Sequence, residues 1–179
     1  VSALGMLGDK WVIPFLAQAL KDPSVTVRVR AAIAMNQVLI RLEEKPTVLL
    51  RSLTQALTDS SPLVVYHTIR ALGILGLEAA LTEILRLMQT KDLSSSILSQ
   101  LALATGLIGS PKAYFPLLKY VNHPNIEVRM NVVKALGQIK EPKAYSVLVK
   151  ALQDSALQVK EQAIYALGYL GNKKAVKEL

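Results

Sequence analysis

The sequence predicts an all-α fold, an α-solenoid in which about five helical hairpins and a partial repeat at each end stack into a right-handed superhelix. The motif Ala-Leu-Gly-Tyr-Leu-Gly at residues 166–171 recurs in related forms at intervals of 31 to 37 residues, and a period of this length indicates a repeat protein. Apolar residues between the motifs follow helical spacing. The composition is 51% apolar but only 5% aromatic, which is typical of helices packed on helices.

The first glycine of the motif sets the register of the repeats. It stands at Gly5, Gly73, Gly106, Gly137 and Gly168, and Asn36 takes its place in one copy. We interpret this glycine as the point where neighbouring second helices approach closely. Asn36 is interpreted as a substitute able to adopt the left-handed conformation at a helix end. The second glycine is expected to take the positive φ that ends the helix; it stands at Gly8, Gly76, Gly109 and Gly171.

This register divides the chain into units of one predicted domain, residues 1–179. The units are a partial second helix (1–8), repeat 1 (9–40), an insertion (41–46), repeat 2 (47–76), repeat 3 (77–109), repeat 4 (110–140), repeat 5 (141–171) and a partial first helix (172–179). Neither end carries the polar outer face of a capping repeat. We therefore expect the chain to be a piece of a longer protein.

Each repeat reads as a short first helix, a turn and a longer second helix. The turns contain residues suited to breaking and capping helices, such as Asp22-Pro23 and Asp154-Ser155. Four apolar columns on the second helices are expected to be buried. The columns are Val27, Val64, Ile97, Val128 and Val159; Ala34, Ala71, Ala104, Ala135 and Ala166; Met35, Leu72, Thr105, Leu136 and Leu167; and Val38, Leu75, Ile108, Ile139 and Leu170.

The helix ends and the Val-Arg element at Val27-Arg28 and Val128-Arg129 resemble the HEAT-repeat family, in particular the short HEAT-like repeats of the phycobilisome-lyase type. The resemblance covers essentially the whole chain. It implies that the arginine column bonds turn carboxylates and carbonyls of the adjoining unit, with Asp22 and Asp154 as partners. Departures in this column are Val65, Leu98 and Lys160, which imply an incomplete ladder in the middle of the array.

Residues for catalysis or cofactor binding are scarce. The chain has no Cys, and its two histidines, His67 and His123, fall in different repeats. One HEAT-like enzyme family, the deoxyhypusine hydroxylases, binds iron through His-Glu pairs, but Thr68 and Pro124 follow the histidines here. We therefore expect a non-catalytic protein with no cofactor and no metal. No apolar run approaches the ~18 residues of a membrane span, and we expect a cytoplasmic protein.

The second helices are expected to line the concave side and to leave one row of side chains for a partner. This row mixes amides, aliphatic groups, tyrosines and isolated cations, as protein-binding surfaces do. The predicted partner-binding residues are Arg30, Ile33, Tyr66, His67, Arg70, Gln100, Leu103, Asn131, Lys134, Gln162, Tyr165 and Tyr169. Nucleic acid is disfavoured because the only cations of the row, Arg30, Arg70 and Lys134, are offset by Glu127.

The formal charge of +8 lies mostly elsewhere, on a predicted basic ridge of the first helices. The ridge consists of Arg86, Lys119 and Lys150 in one column and Lys112, Lys143 and Lys174 in another. It is either a solvated lysine face or a docking surface for an acidic protein or an anionic membrane. The membrane would otherwise be reached only through a parent protein.

The function favoured by these patterns is a non-catalytic HEAT-repeat scaffold that binds a protein partner through its concave face. One alternative, implied by the resemblance, is a subunit related to the bilin lyases that act on phycobiliproteins. Another is a regulatory HEAT domain attached to a membrane or signalling protein. Repeat resemblance transfers fold better than activity, so all three hypotheses are carried forward to the structure.

Overall fold

The computed structural model describes residues 10–171, and in that range it contains ten α-helices and no strand. Short helices of 5–8 residues alternate with long helices of 13–17 residues, as the hairpin prediction requires. They are α1 (Ile13–Ala19), α2 (Val25–Arg41), α3 (Leu49–Ala56), α4 (Pro62–Leu75), α5 (Leu81–Met88), α6 (Ser95–Ile108), α7 (Tyr114–Leu118), α8 (Ile126–Gln138), α9 (Tyr145–Ala151) and α10 (Leu157–Leu170). The predicted partial repeats, 1–8 and 172–179, lie outside the described residues.

The helices form two compact units, divided between Glu83 and Ile84. In the first unit, α1 packs on α2, α3 packs on α4, and the two second helices, α2 and α4, pack on each other. In the second unit, α8 packs between the second helices α6 and α10, and α9 packs on α10. Five consecutive hairpins are therefore present. The grouping of the whole chain into one domain stays a prediction.

The predicted alanine column is buried throughout. Ala34, Ala71, Ala104, Ala135 and Ala166 are all at most 1% exposed. The leucine column beside it is equally closed at Leu72, Leu136 and Leu167. Three positions of the outer columns are only half-buried, namely Val27, Ile108 and Leu170. The core thus runs along one stripe of each second helix.

The first glycine of the motif sits at a close approach between second helices. A β-carbon built on Gly137 of α8 would lie 2.5 Å from the Cα atom of Ala166 on α10. At Gly106 of α6 the corresponding distance to the Cα atom of Ala135 on α8 is 2.7 Å. Both distances are too short for any side chain, so the packing prediction is confirmed at these two helix pairs.

The second glycine ends the helix through a left-handed residue, as predicted. Gly76, Gly109 and Gly171 have φ values of 68°, 73° and 66°, and Gly8 lies outside the described residues. In the fourth repeat, Lys140 stands in place of this glycine and adopts the same conformation with φ of 53°. The left-handed turn is therefore kept there although the residue is not glycine.

The interpretation of Asn36 is wrong. It lies inside α2, which continues to Arg41, and it is buried. Its amide nitrogen donates a hydrogen bond of 3.1 Å to the backbone carbonyl of His67 on α4. No glycine follows Asn36 three residues later, and α2 continues past that point. The Lys45 ammonium donates to the carbonyls of Leu39 and Leu42 near the end of α2, as basic groups do at helix C-termini.

The arginine column joins successive repeats, with one change of partner. Arg28 binds Asp59 of the next repeat through Nε–Oδ2 and Nη2–Oδ1 distances of 2.6 and 3.0 Å. Arg129 binds Asp154 in the same bidentate way, with both distances at 2.8 Å. Asp22 is not the carboxylate partner of Arg28: its carboxylate accepts from the Ser24 backbone N–H, and only its carbonyl accepts from Arg28. The bonded carbonyls therefore belong to the arginine's own turn, and the carboxylate belongs to the following one.

The charge pair between Arg129 and Asp154 makes unfolding pH-dependent. The Arg129 guanidinium lowers the pKa of the Asp154 carboxyl, so its stabilisation is present above the unfolded pKa of about 3.9 and is lost as the pH falls through the lower folded pKa. At pH 7 we expect Asp154→Asn to lower the unfolding free energy by about 1 kcal/mol, above an exposed pair and below a fully buried one. Urea unfolding at pH 7, 5 and 3 measures both effects.

The matched control is the pair between Lys10 and Glu44, whose side chains are 62% and 86% exposed, against 11% and 14% for Arg129 and Asp154. Glu44→Gln should leave the unfolding free energy unchanged at pH 7. If the Asp154→Asn protein lost as much stability as wild type between pH 5 and pH 3, the pair would not be the source of the acid sensitivity.

Candidate functional site

The predicted partner row of the first unit lies on the two second helices, α2 and α4. Arg30 on α2 and His67 on α4 occupy equivalent positions in their repeats, and Arg70 lies one helical turn beyond His67. Both arginines are exposed, whereas Ile33, Tyr66 and His67 are half-buried. We call these five residues the first-unit face. All five predicted residues of this unit are therefore accessible at least in part.

His67 is held in place by its neighbours on the first-unit face. Its ring meets the Tyr66 ring edge-on, with centroids 5.3 Å apart and an angle of 84°. Burial and the charge of Arg70 lower the pKa of His67 below its usual value of 6.5. The imidazole is consequently neutral at pH 7, and the arginines supply the positive charge of the face.

In the second unit, two predicted partner residues are buried and need correction. Gln100 on α6 is 4% exposed and Asn131 on α8 is 8% exposed. The Asn131 amide donates a 2.7 Å hydrogen bond to the Ser99 hydroxyl on α6, so it links adjacent second helices instead of presenting its side chain to a partner. At this position α6 and α8 pack on each other, and the two side chains are buried in that contact.

The remaining predicted residues of the second unit are accessible. Tyr165 and Tyr169 on α10 are 64% and 59% exposed, while Leu103, Lys134 and Gln162 are half-buried. We call these five residues the second-unit face. It carries large aromatic surface and a single cation.

A shallow groove near the second-unit face includes residues that the sequence prediction missed. It has a volume of about 570 Å³ and lies at the N-terminal ends of α8 and α10. Its lining is Pro124, Asn125, Ile126, Glu127, Met130 and Gln158. Ile126 is 46% exposed and the neighbouring Leu157 is 65% exposed. The sequence signal that could have identified this groove is the apolar first residue of α8 and of α10, which belongs to none of the buried columns.

The predicted basic ridge is exposed on the first helices of the second unit. Arg86, Lys112, Lys119, Lys143 and Lys150 all reach the surface, and Lys174 lies outside the described residues. Two tyrosine hydroxyls join successive repeats beneath the ridge: Tyr120 donates to the Met88 carbonyl and Tyr114 donates to the Lys143 carbonyl. Phe115, 68% exposed, lies between Lys112 and Lys119 along the chain and is an apolar surface group that the prediction missed.

Residues 10–171 offer few groups for a metal site or for a membrane-spanning helix. No group of three or more His, Asp or Glu side chains in that range is arranged to hold a metal ion. No helix of the same range combines the length and the apolar character needed to cross a bilayer. The two histidines carry no neighbouring carboxylate in sequence.

Comparison with known families identifies the repeats. A family model described as HEAT repeats matches residues 13–104 and 90–168, which is most of the chain. A second model, described as PBS lyase HEAT-like repeat, matches residues 1–22. Among curated proteins, no sequence matches the chain.

Solved structures show the same fold at low sequence identity. The complex of CpcE and CpcF of phycocyanin lyase from Nostoc sp. matches with a TM-score of 0.70 and 21% identity, over 98% of this chain and 73% of that one. A designed armadillo repeat protein in complex with the peptide (KR)4 matches with a TM-score of 0.65 and 19% identity, over 94% and 90% of the two chains. Human deoxyhypusine hydroxylase matches with a TM-score of 0.57 and 23% identity, over 95% and 66%.

These likenesses and the ten helices confirm an all-α solenoid. The family model extends across all five described hairpins. The chain therefore belongs to the HEAT-repeat family.

Proposed function

We propose that this chain is a non-catalytic scaffold that binds a protein partner through the second-helix faces of its repeats. The observation that carries the proposal is the exposure of Tyr165 and Tyr169, 64% and 59%, on one face of α10 beside the half-buried Gln162. Tyrosine is enriched in binding hot spots because it combines a large apolar ring with a hydroxyl. A face that met only solvent would not need such rings.

The accessible groups around the tyrosines suit a protein partner better than a reaction. They are amides, aliphatic side chains and one lysine, which bind a protein surface by shape complementarity and hydrogen bonding. Repeat arrays commonly present such extended surfaces to partners. Two similar structures are a complex of a designed armadillo repeat protein with a peptide and a complex of two phycocyanin lyase chains, which supports partner binding by this kind of scaffold.

The partner contact should depend on the two tyrosines. We expect the double variant Tyr165→Ala, Tyr169→Ala to lose about 30- to 900-fold in affinity for its partner, since each hot-spot truncation costs about 1–2 kcal/mol. The measurement is capture from an extract of the source cells on immobilised protein, with quantitative mass spectrometry of the retained proteins. Circular dichroism confirms that the variants are folded.

The matched control is the double variant Lys119→Ala, Lys150→Ala, which changes two exposed residues of the ridge in the same unit. This control should retain the same proteins as wild type. Undiminished capture by the tyrosine variant, or equal loss in the ridge variant, would remove the second-unit face from the proposal.

A second candidate is a subunit related to the bilin lyases that act on phycobiliproteins. It is favoured by the PBS lyase HEAT-like match at residues 1–22 and by the likeness to the CpcE and CpcF complex. The test mixes the protein with phycocyanobilin and an apo-phycobiliprotein and follows the visible absorption spectrum. A protein-dependent shift would support a lyase-related role, and an unchanged spectrum would leave the scaffold proposal alone.

A further inference from the structure

The two second helices of the first unit carry positive charge without any acidic residue. The sequences of α2 and α4 contain four arginines and no Asp or Glu. Arg28 is committed to Asp59, and Arg41 is the last residue of α2, three turns beyond Arg30. The exposed Arg30 and Arg70 therefore define the charge of the first-unit face.

Apolar groups stand between and beside these two arginines. Ile33 lies one turn from Arg30 on α2, Ile74 lies one turn beyond Arg70 on α4, and both are half-buried. Leu63, at the start of α4, is 59% exposed. The face thus alternates cationic and apolar groups, and its complement is a segment that alternates acidic and apolar side chains.

We propose that the first-unit face binds an acidic peptide segment of a partner protein, with Arg30 and Arg70 each donating hydrogen bonds to one carboxylate of the peptide. This inference rests on the proposed scaffold function and names the class of its partner. The guanidinium group matches a carboxylate with two parallel hydrogen bonds, and the same unit already shows that geometry between Arg28 and Asp59. The Tyr66 ring, which meets the His67 ring edge-on, supplies an aromatic wall beside the two charges.

The number of charges separates this partner from nucleic acid. A nucleic-acid site gains its affinity by neutralising many phosphates, and its binding falls steeply with salt. Arg30 and Arg70 are only two charges, with the exposed Leu63 beside them at the start of α4, and two cations are too few to neutralise a run of phosphates. The sign of the charge also separates this face from the similar designed armadillo protein, whose structure holds the basic peptide (KR)4.

The test is selection from a random peptide library displayed on phage, with the full chain immobilised in three forms. Wild type should enrich peptides rich in Asp and Glu with apolar residues between them. Arg30→Gln with Arg70→Gln should lose that acidic enrichment. Arg51→Gln is the matched control, because Arg51 is exposed on the first helix α3 of the same unit, and it should enrich the same peptides as wild type.

Fluorescence anisotropy then measures the affinity of the most enriched peptide for each protein at two salt concentrations. We expect a Kd at least 10-fold higher for the double variant and an unchanged Kd for Arg51→Gln. Enrichment without acidic residues, acidic enrichment that survives in the double variant, an empty selection, or equal binding of a random DNA oligomer of the same charge would each overturn the inference. The scaffold proposal has its own readout in the Tyr165 and Tyr169 capture experiment, so the two failures are distinguishable.

Discussion

Gly137→Ala is expected to destabilise the second unit by about 3 kcal/mol, near the upper end of the range for overpacked cores. The added methyl group would lie 2.5 Å from the Cα atom, 2.6 Å from the Cβ atom and 3.0 Å from the carbonyl oxygen of Ala166. Two of these atoms belong to backbone, so relief requires α8 and α10 to move apart. Urea unfolding followed by circular dichroism measures the loss.

Gly168→Ala is the matched control, because it places the same change at the equivalent position of the next repeat. No described atom lies within 4 Å of the added methyl group there. Alanine is the better helix former, and this variant should gain about 0.5–1 kcal/mol. A similar change in both variants would mean that helix propensity alone acts at these glycines and that the close approach has no energetic role.

The repeat period predicted the parts of the fold that depend on a small residue at a fixed place. Ala135 and Ala166 recur because adjacent second helices leave no room for a larger side chain, and Gly109 recurs because the turn needs a positive φ. Such constraints act on one residue type at one position. They are therefore visible in the sequence without any knowledge of the neighbouring helix.

The hydrogen-bond partners that link one repeat to the next could not be predicted from the repeat period. The sequence placed Asp22 and Asp59 in equivalent turns, but it did not fix which turn the guanidinium of Arg28 reaches. The structure gives the carboxylate role to Asp59 and the carbonyl role to Asp22. The choice depends on the spacing between hairpins, which no local pattern specifies.

In the candidate site, too, some positions could be predicted from the sequence and others depended on the packing of the neighbouring helix. Helical spacing assigned Arg70, Tyr165 and Tyr169 to accessible faces, and the structure leaves them accessible. The same spacing assigned Asn131 to the surface, but the packing of α8 on α6 buries its side chain, which hydrogen-bonds to Ser99. A period gives the direction of a side chain from its own helix, and burial depends also on how closely the next helix packs.

Leu136→Ala should lower the unfolding free energy of the second unit by about 2–5 kcal/mol, the cost of removing a large buried side chain and leaving a cavity. Leu136 is fully buried on α8, between the second helices α6 and α10. Leu167→Ala, at the equivalent position of the next repeat and 1% exposed, should show a loss in the same range. Lys119→Ala changes an exposed residue and should alter the unfolding free energy by no more than ~0.5 kcal/mol. Equal losses for Leu136→Ala and Lys119→Ala would mean that the columns of the repeat do not separate core from surface, and the assignment of both binding faces would fall with them.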